Sequence, residues 1–217
     1  MRIGSYFVSV SLSERNYHAS SAQNYQRTMK ALLIALVELF VGTALAGSDP
    51  NSALIVPGSR LGAVRLGSNG AEVLKSLPKP YVVDSGMSQT RQVWRSRRPG
   101  GDYDTLFIHT LSNGVIDAKP AEGVTIDLIR STAKRFHTAN GISVGSPFKQ
   151  VSNQFSGITA VKDVPTVYDD VNKGIAFEFD KPPTAESRCI AIMVHLPGKS
   201  KIATKEQVAA ILSEKGG

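Results

Sequence analysis

Two stretches of this chain match each other without a gap. Leu66-Gly67-Ser68-Asn69-Gly70-Ala71-Glu72-Val73-Leu74-Lys75-Ser76-Leu77 aligns with Val144-Gly145-Ser146-Pro147-Phe148-Lys149-Gln150-Val151-Ser152-Asn153-Gln154-Phe155, with Gly, Ser and Val coincident and an apolar final position in both. A repeat constrains the fold more than any single motif, because each copy must adopt the same local structure and bury the same face. Ser68 and Ser146 stand where a hydroxyl can accept from an exposed backbone N–H at a helix start, and Pro147 occupies the tolerated first helical position. Val73, Leu74 and Leu77 fall on one side of the first segment. Phe148, Val151 and Phe155 do so in the second at helical spacing, and Gly67 and Gly145 supply the turn that leads in.

Strand-like runs follow each helix. In the first half they are 89–95, 105–111 and 124–129, with Ser112-Asn113-Gly114 as a turn; in the second they are 166–168, 174–179 and 189–196. Alternation in Val124, Ile126 and Leu128, and in Ile175, Phe177 and Phe179, predicts sheets with one covered face. The segment 204–215 opens with Thr204-x-x-Gln207, a capping-box pattern, and carries Val208, Ile211 and Leu212 on one side. The expected fold class is α+β: two tandem helix-plus-antiparallel-sheet repeats sharing one curved sheet, with a short C-terminal helix. The expected boundaries are a first repeat at 57–135, a second at 136–198, and a C-terminal helix and tail at 199–217.

The amino-terminal portion reads as an address. Met29-Lys30, an apolar run over 31–41 broken by Glu38, and Ala44-Leu45-Ala46 have the three parts of a signal peptide, cut after Ala46. A membrane anchor needs about 20 apolar residues to cross the hydrocarbon core, more than this stretch supplies. Residues 1–28 read as a disordered upstream extension, with translation expected to begin at Met29. Residues 29–46 are then the signal peptide and 47–56 a flexible start of the mature chain. The mature product is expected to be periplasmic or secreted, with no stable membrane insertion after cleavage.

Loss of the leader lowers the formal net charge from +7 to +5, a mild bias toward anionic partners that carries no signature of specific nucleic-acid recognition. The one cysteine, Cys189, lies in an apolar run and reads as a small buried hydrophobe.

Leu66-Gly67-Ser68 with its following helix, and the run from Phe136-His137-Thr138 through Asn140-Gly141 to Val144-Gly145-Ser146, resemble the glycine–serine helix starts of bacterial envelope repeat proteins. That group resembles the β-lactamase inhibitor protein fold and the small lipoprotein of the outer-membrane barrel-assembly machinery. The resemblance spans 57–197. It implies units of one helix and one antiparallel sheet joined into a curved sheet, and a role in binding, inhibition or assembly. No cysteine stands immediately after Ala46, so the assembly lipoprotein's lipid anchor has no attachment point here. The single cysteine likewise leaves no partner for the inhibitor's paired disulfides.

Motifs for chemistry are sparse. His109, His137 and His195 are far apart and form no metal-ligand spacing; His109 and His195 read as structural strand histidines, and His137 lies in the linker between repeats. Ser131-Thr132-Ala133-Lys134 matches Ser-x-x-Lys without its partner motifs. Asp169-Asp170 with Asn172 lacks the remaining calcium-loop ligands and reads as a solvated turn. No metal and no cofactor is expected. The most distinctive surface candidate is Arg91-Gln92-Val93-Trp94-Arg95-Ser96-Arg97-Arg98, four arginines around the only tryptophan. Strand alternation places Arg91, Val93, Arg95 and Arg97 on one face and Trp94 opposite, in the core. Arg91, Arg95, Arg97 and Arg98 are the expected binding residues, for an envelope protein or an anionic envelope component. The expected function is a non-enzymatic binding or assembly module, against the alternatives of a hydrolase with a site between the repeats or a structural spacer.

Overall fold

Helix-forming stretches in this sequence are short, so the strands carry the architecture. A computed structural model describes residues 50–67, 70–112 and 123–214. After a 3-10 turn at Pro50–Ala53 come β1 (Leu54–Val56), β2 (Arg60–Leu61), β3 (Val64–Arg65), α1 (Gly70–Ser76), β4 (Val82–Gly86), β5 (Gln89–Arg97), β6 (Tyr103–Ser112) and β7 (Val124–Ser131). Then follow β8 (His137–Thr138), α2 (Phe148–Gln154), β9 (Thr159–Val161), β10 (Val164–Asp170), β11 (Ile175–Phe179), β12 (Cys189–His195) and α3 (Lys205–Ser213). The α+β class is as expected. Residues 1–49, which hold the upstream extension and the signal peptide, lie outside the described residues, as do Ser68 and the Asn113-Gly114 turn.

Both matched segments are helical where the sequence places them. Each helix starts three residues after a glycine in the left-handed region, Gly67 at φ +64° and Gly145 at φ +99°. Ser146, however, does not cap α2. Its hydroxyl accepts from Ser143 N at 3.1 Å within its own turn, and Pro147 is the N-cap residue with no side-chain bond. The orphan N–H groups of Phe148 and Lys149 are taken instead by the carbonyls of Ser187 (2.8 Å) and Ala185 (3.4 Å), a tertiary cap that no local pattern encodes.

Eight strands form one antiparallel sheet in the order β4-β5-β6-β7-β12-β11-β10-β9. In each half a helix precedes four strands that pair in chain order, and the last strands, β7 and β12, meet at the centre with Val194 opposite Ile129. A small sheet, β3-β2-β1-β8, joins the two halves through the parallel pair β1–β8. Residues 54–56, expected within a flexible start, therefore form a strand and bury Ile55.

The large sheet departs from expectation in being covered on both faces. Val73, Leu74, Phe148 and Val151 of α1 and α2 pack over Trp94, Ile108, Ile129 and Phe177 on the first face. On the second, Val208 and Ile211 of α3 close over Val93, Phe107, Leu128, Ala176 and Met193. All five residues of β11 are buried as a result. The capping box that starts α3 forms as expected: Thr204 N donates to Gln207 Oε1 at 2.8 Å, and Gln207 N donates to the Thr204 hydroxyl at 3.4 Å.

The β4–β5 hairpin turns through Met87 and Ser88, both at positive φ (47° and 61°), the geometry that favours Asn-Gly. Met87 is 85% exposed, so nothing in the packing compensates for the unfavourable residue types. Replacing the pair by Asn-Gly is expected to stabilise the protein by about 1 kcal/mol, read as a higher urea midpoint with an unchanged slope.

Candidate functional site

The four arginines singled out in the sequence occupy one end of the sheet on β5 and the turn after it, but they do not act alike. Arg91 Nη1 donates to Asp84 Oδ2 at 3.0 Å across the β4–β5 pair. Arg98 pairs with Asp104 and donates from Nη2 to the Thr132 carbonyl at 2.8 Å, tying the hairpin to the end of β7. Neither is a free cation. Arg95 is exposed, and its guanidinium lies 3.9 Å from the Tyr103 ring centroid and 5.0 Å from that of Tyr81. Arg97 is exposed and has no carboxylate partner among the described residues.

The alternation that assigned Trp94 to the core holds, but Val93 is buried as well. The two point into different cores on opposite faces of the sheet. Trp94 Nε1 donates to the Pro78 carbonyl at 2.6 Å, so its one polar atom is satisfied. Trp94 also lines a cavity of about 380 Å³, with Lys79, Arg95 and Arg135 around it and Leu77, Leu106 and Phe136 among its apolar walls.

A second group of residues on the α3 face escaped motif searching. His109 Nδ1 meets Asp127 Oδ1 at 2.6 Å, its Nε2 meets Gln89 Oε1 at 2.9 Å, and Lys201 pairs with the other oxygen of Asp127. A separate cavity of about 320 Å³ lies beside this cluster, lined by His109, Lys201, Gln89 and Arg91. Arg130 Nη2 donates to Glu178 Oε2 at 2.6 Å, and the other Glu178 oxygen accepts from Lys205 N at 2.9 Å, at the first turn of α3. His195 Nε2 lies 2.8 Å from Asp169 Oδ1, while Ser200 donates to Asp169 Oδ2 at 2.6 Å. Asp169 and Asp170, expected in a solvated turn, are buried at the end of β10. The sequence carried one usable signal for this group, polar residues at alternate positions in otherwise apolar strands. It gave no way to see that segment 199–205 would cover them.

Electrostatics follow from the partners. Burial alone would raise the Asp127 pKa, but hydrogen bonds from His109 and Lys201 outweigh it and hold the carboxyl below its usual range. Burial likewise disfavours charge on His195, yet Asp169 and the Leu196 carbonyl prevail and raise its pKa. Both ring nitrogens face acceptors, Nε2 toward Asp169 and Nδ1 toward the Leu196 oxygen at 3.1 Å, an arrangement only the imidazolium satisfies. Desolvation pushes the Cys189 thiol up to about 12, leaving it inert as a nucleophile.

Asp169, His195 and Ser200 do not form a serine triad. In a serine triad the histidine sits between hydroxyl and carboxylate, whereas here Asp169 lies between Ser200 and a fully buried His195. His137 is exposed, and its Nδ1 lies 3.2 Å from the Arg135 carbonyl oxygen. Ser131 accepts from Ala133 N at 3.1 Å, a structural use of the residue that opens the Ser-x-x-Lys match. Among the described residues no cluster of three or more metal-ligating side chains occurs, and no helix is long and apolar enough to cross a membrane.

No protein-family model matches this chain, and no curated protein matches it. The crystal structure of the uncharacterized protein yfeY from Escherichia coli is similar at 12% identity and a TM-score of 0.32, covering 68% of this chain and 97% of that one.

Two of the shifted groups, Asp127 and His195, shape the pH response of folding between acid and neutral pH. Asp127, with its pKa lowered, contributes stability that is present above the unfolded value of ~3.9 and lost as pH falls through its folded pKa. His195, with its pKa raised, contributes stability that is complete below ~6.5 and lost as pH rises through its folded pKa. Thermal melts across pH should therefore fall off on both sides. Asp169→Asn should flatten the alkaline limb while leaving the acid limb in place.

Proposed function

We propose that the protein is a non-enzymatic binding module of the bacterial envelope, exported by the segment at 29–46, whose basic hairpin meets an anionic envelope component. The two halves are read as duplicated units, in keeping with their matching helix starts and strand order. The observation that carries the reading is the exposure of Arg95 and Arg97 without a carboxylate partner among the described residues, beside an arginine pair that is fully engaged. Arg91 and Arg98 hold the hairpin in shape, leaving Arg95 and Arg97 to meet a partner. Arginine is suited to this, because its planar fork matches carboxylate and phosphate geometry. The hydrolase alternative is less favoured, since His109 and His195 are engaged in buried pairs and His137 bonds only a backbone carbonyl.

Immobilised protein exposed to bacterial envelope fractions should retain an anionic component that salt elutes. Arg95→Ala/Arg97→Ala should retain it at least tenfold less. Equal retention by wild type and variant, or none by either, contradicts the reading.

A further inference from the structure

Beneath the hairpin, the cavity lined by Trp94 combines features found together nowhere else among the described cavities. Its volume of about 380 Å³ lies in the range of small-molecule sites. Trp94, Leu106 and Phe136 supply apolar wall, while Lys79 and Arg135 supply positive charge. Neither cation has a carboxylate partner among the described residues. The carboxylate in the wall, Asp104, is already neutralised by Arg98. The cavity beside His109, by contrast, is lined by groups that largely answer one another, Arg91 with Asp84 and Lys201 with Asp127.

Three further polar groups of the wall are occupied. The indole N–H is given to the Pro78 carbonyl, Ser131 Oγ accepts from Ala133 N, and Thr105 N donates to the Thr132 hydroxyl. What the cavity offers a visitor is therefore apolar surface and unanswered positive charge. The Arg135 guanidinium is also positioned in advance, 4.7 Å from the Phe136 ring centroid. Contact with the ring leaves its N–H groups for an oxyanion.

We propose that this cavity binds a small amphipathic anion, a carboxylate or phosphate monoester carried on an apolar body, with the body against Trp94 and Phe136 and the head between Lys79 and Arg135. This assignment rests on the reading of the basic end as a binding surface and specifies its ligand class. Charge and apolar surface act together, so neither a neutral amphiphile nor a small hydrophilic anion should suffice.

Trp94 is the only tryptophan in the chain, so its emission reports on this cavity alone. The full-length protein is titrated with decanoate, decyl phosphate, 1-decanol and acetate, each free of micelles, with calorimetry as a second readout. Decanoate or decyl phosphate should produce a saturable change in emission, and comparison of the two identifies the preferred head. Binding of 1-decanol and of acetate should be at least tenfold weaker. Arg135→Gln should weaken the anion at least tenfold, with Lys79→Gln as a second exposed variant should the first melt early; Lys162→Gln, exposed on the β9–β10 turn and outside the lining, should leave binding unchanged. Absence of saturable binding by either anion, equal affinity for 1-decanol, or indifference to both Arg135→Gln and Lys79→Gln overturns the proposal. If the envelope component is still retained through Arg95 and Arg97 when the amphiphiles fail, the cavity assignment falls alone. Amphiphile binding without any retained envelope component overturns the broader reading instead.

Discussion

Three polar pairs buried on one face of a sheet govern how this chain closes. His109–Asp127, Arg130–Glu178 and His195–Asp169 all lie on the α3 side, and most of these side chains are all but excluded from solvent. Charges in such a position cost several kcal/mol each in lost hydration unless nearly every hydrogen-bonding site is filled. Segment 199–205 does much of that filling: Ser200 bonds Asp169, Lys201 bonds Asp127, and Lys205 N bonds Glu178. One connection thus completes three carboxylates that sit on three different strands. The apolar side of α3 is then carried to its place over Val93, Phe107 and Met193. The sheet has two covered faces because the C-terminal segment is bound to the second one by charge as well as by apolar contact.

That arrangement separates the molecule's polar chemistry into two kinds. On the α3 face the charges answer each other and serve the fold. At the β4–β5–β6 end the positive charges outnumber their partners, and rings rather than carboxylates position Arg95 and Arg135. A protein does not need exposed stacked guanidiniums beside an apolar cavity for stability, since exposed charges contribute little to it. Their placement is what the proposed binding role draws on.

The helices, the main strands and the closing capping box were legible because each leaves a local trace: a left-handed glycine before a helix, apolar residues at helical spacing, alternation along a strand. Gly67, Gly145, Phe148, Val151 and Thr204 illustrate this. The tertiary cap on α2 was not legible, because the carbonyls of Ala185 and Ser187 come from a loop far along the chain. The misreading of Asp169 and Asp170 has the same origin. Two adjacent aspartates before Asn-Lys-Gly look like a solvated turn until a histidine on β12 and a serine beyond it arrive as partners. Strand alternation also misled, since Ala176 and Glu178 look like solvent-facing positions and lie beneath the C-terminal segment. In the arginine run, cross-strand register decides which residues stay without a carboxylate: Asp84 opposite Arg91 pairs with one, and Asp104 beside Arg98 pairs with another.

The dependence of α3 on the buried charges is open to direct measurement by native-state hydrogen exchange in wild type and Lys201→Met. Loss of the ammonium leaves Asp127 short of one partner and frees the connection that carries α3 to the sheet. The amides of Lys205–Ser213 should lose protection by at least tenfold relative to those of β11 and β12. Protection of α3 that is unchanged in the variant would contradict the account.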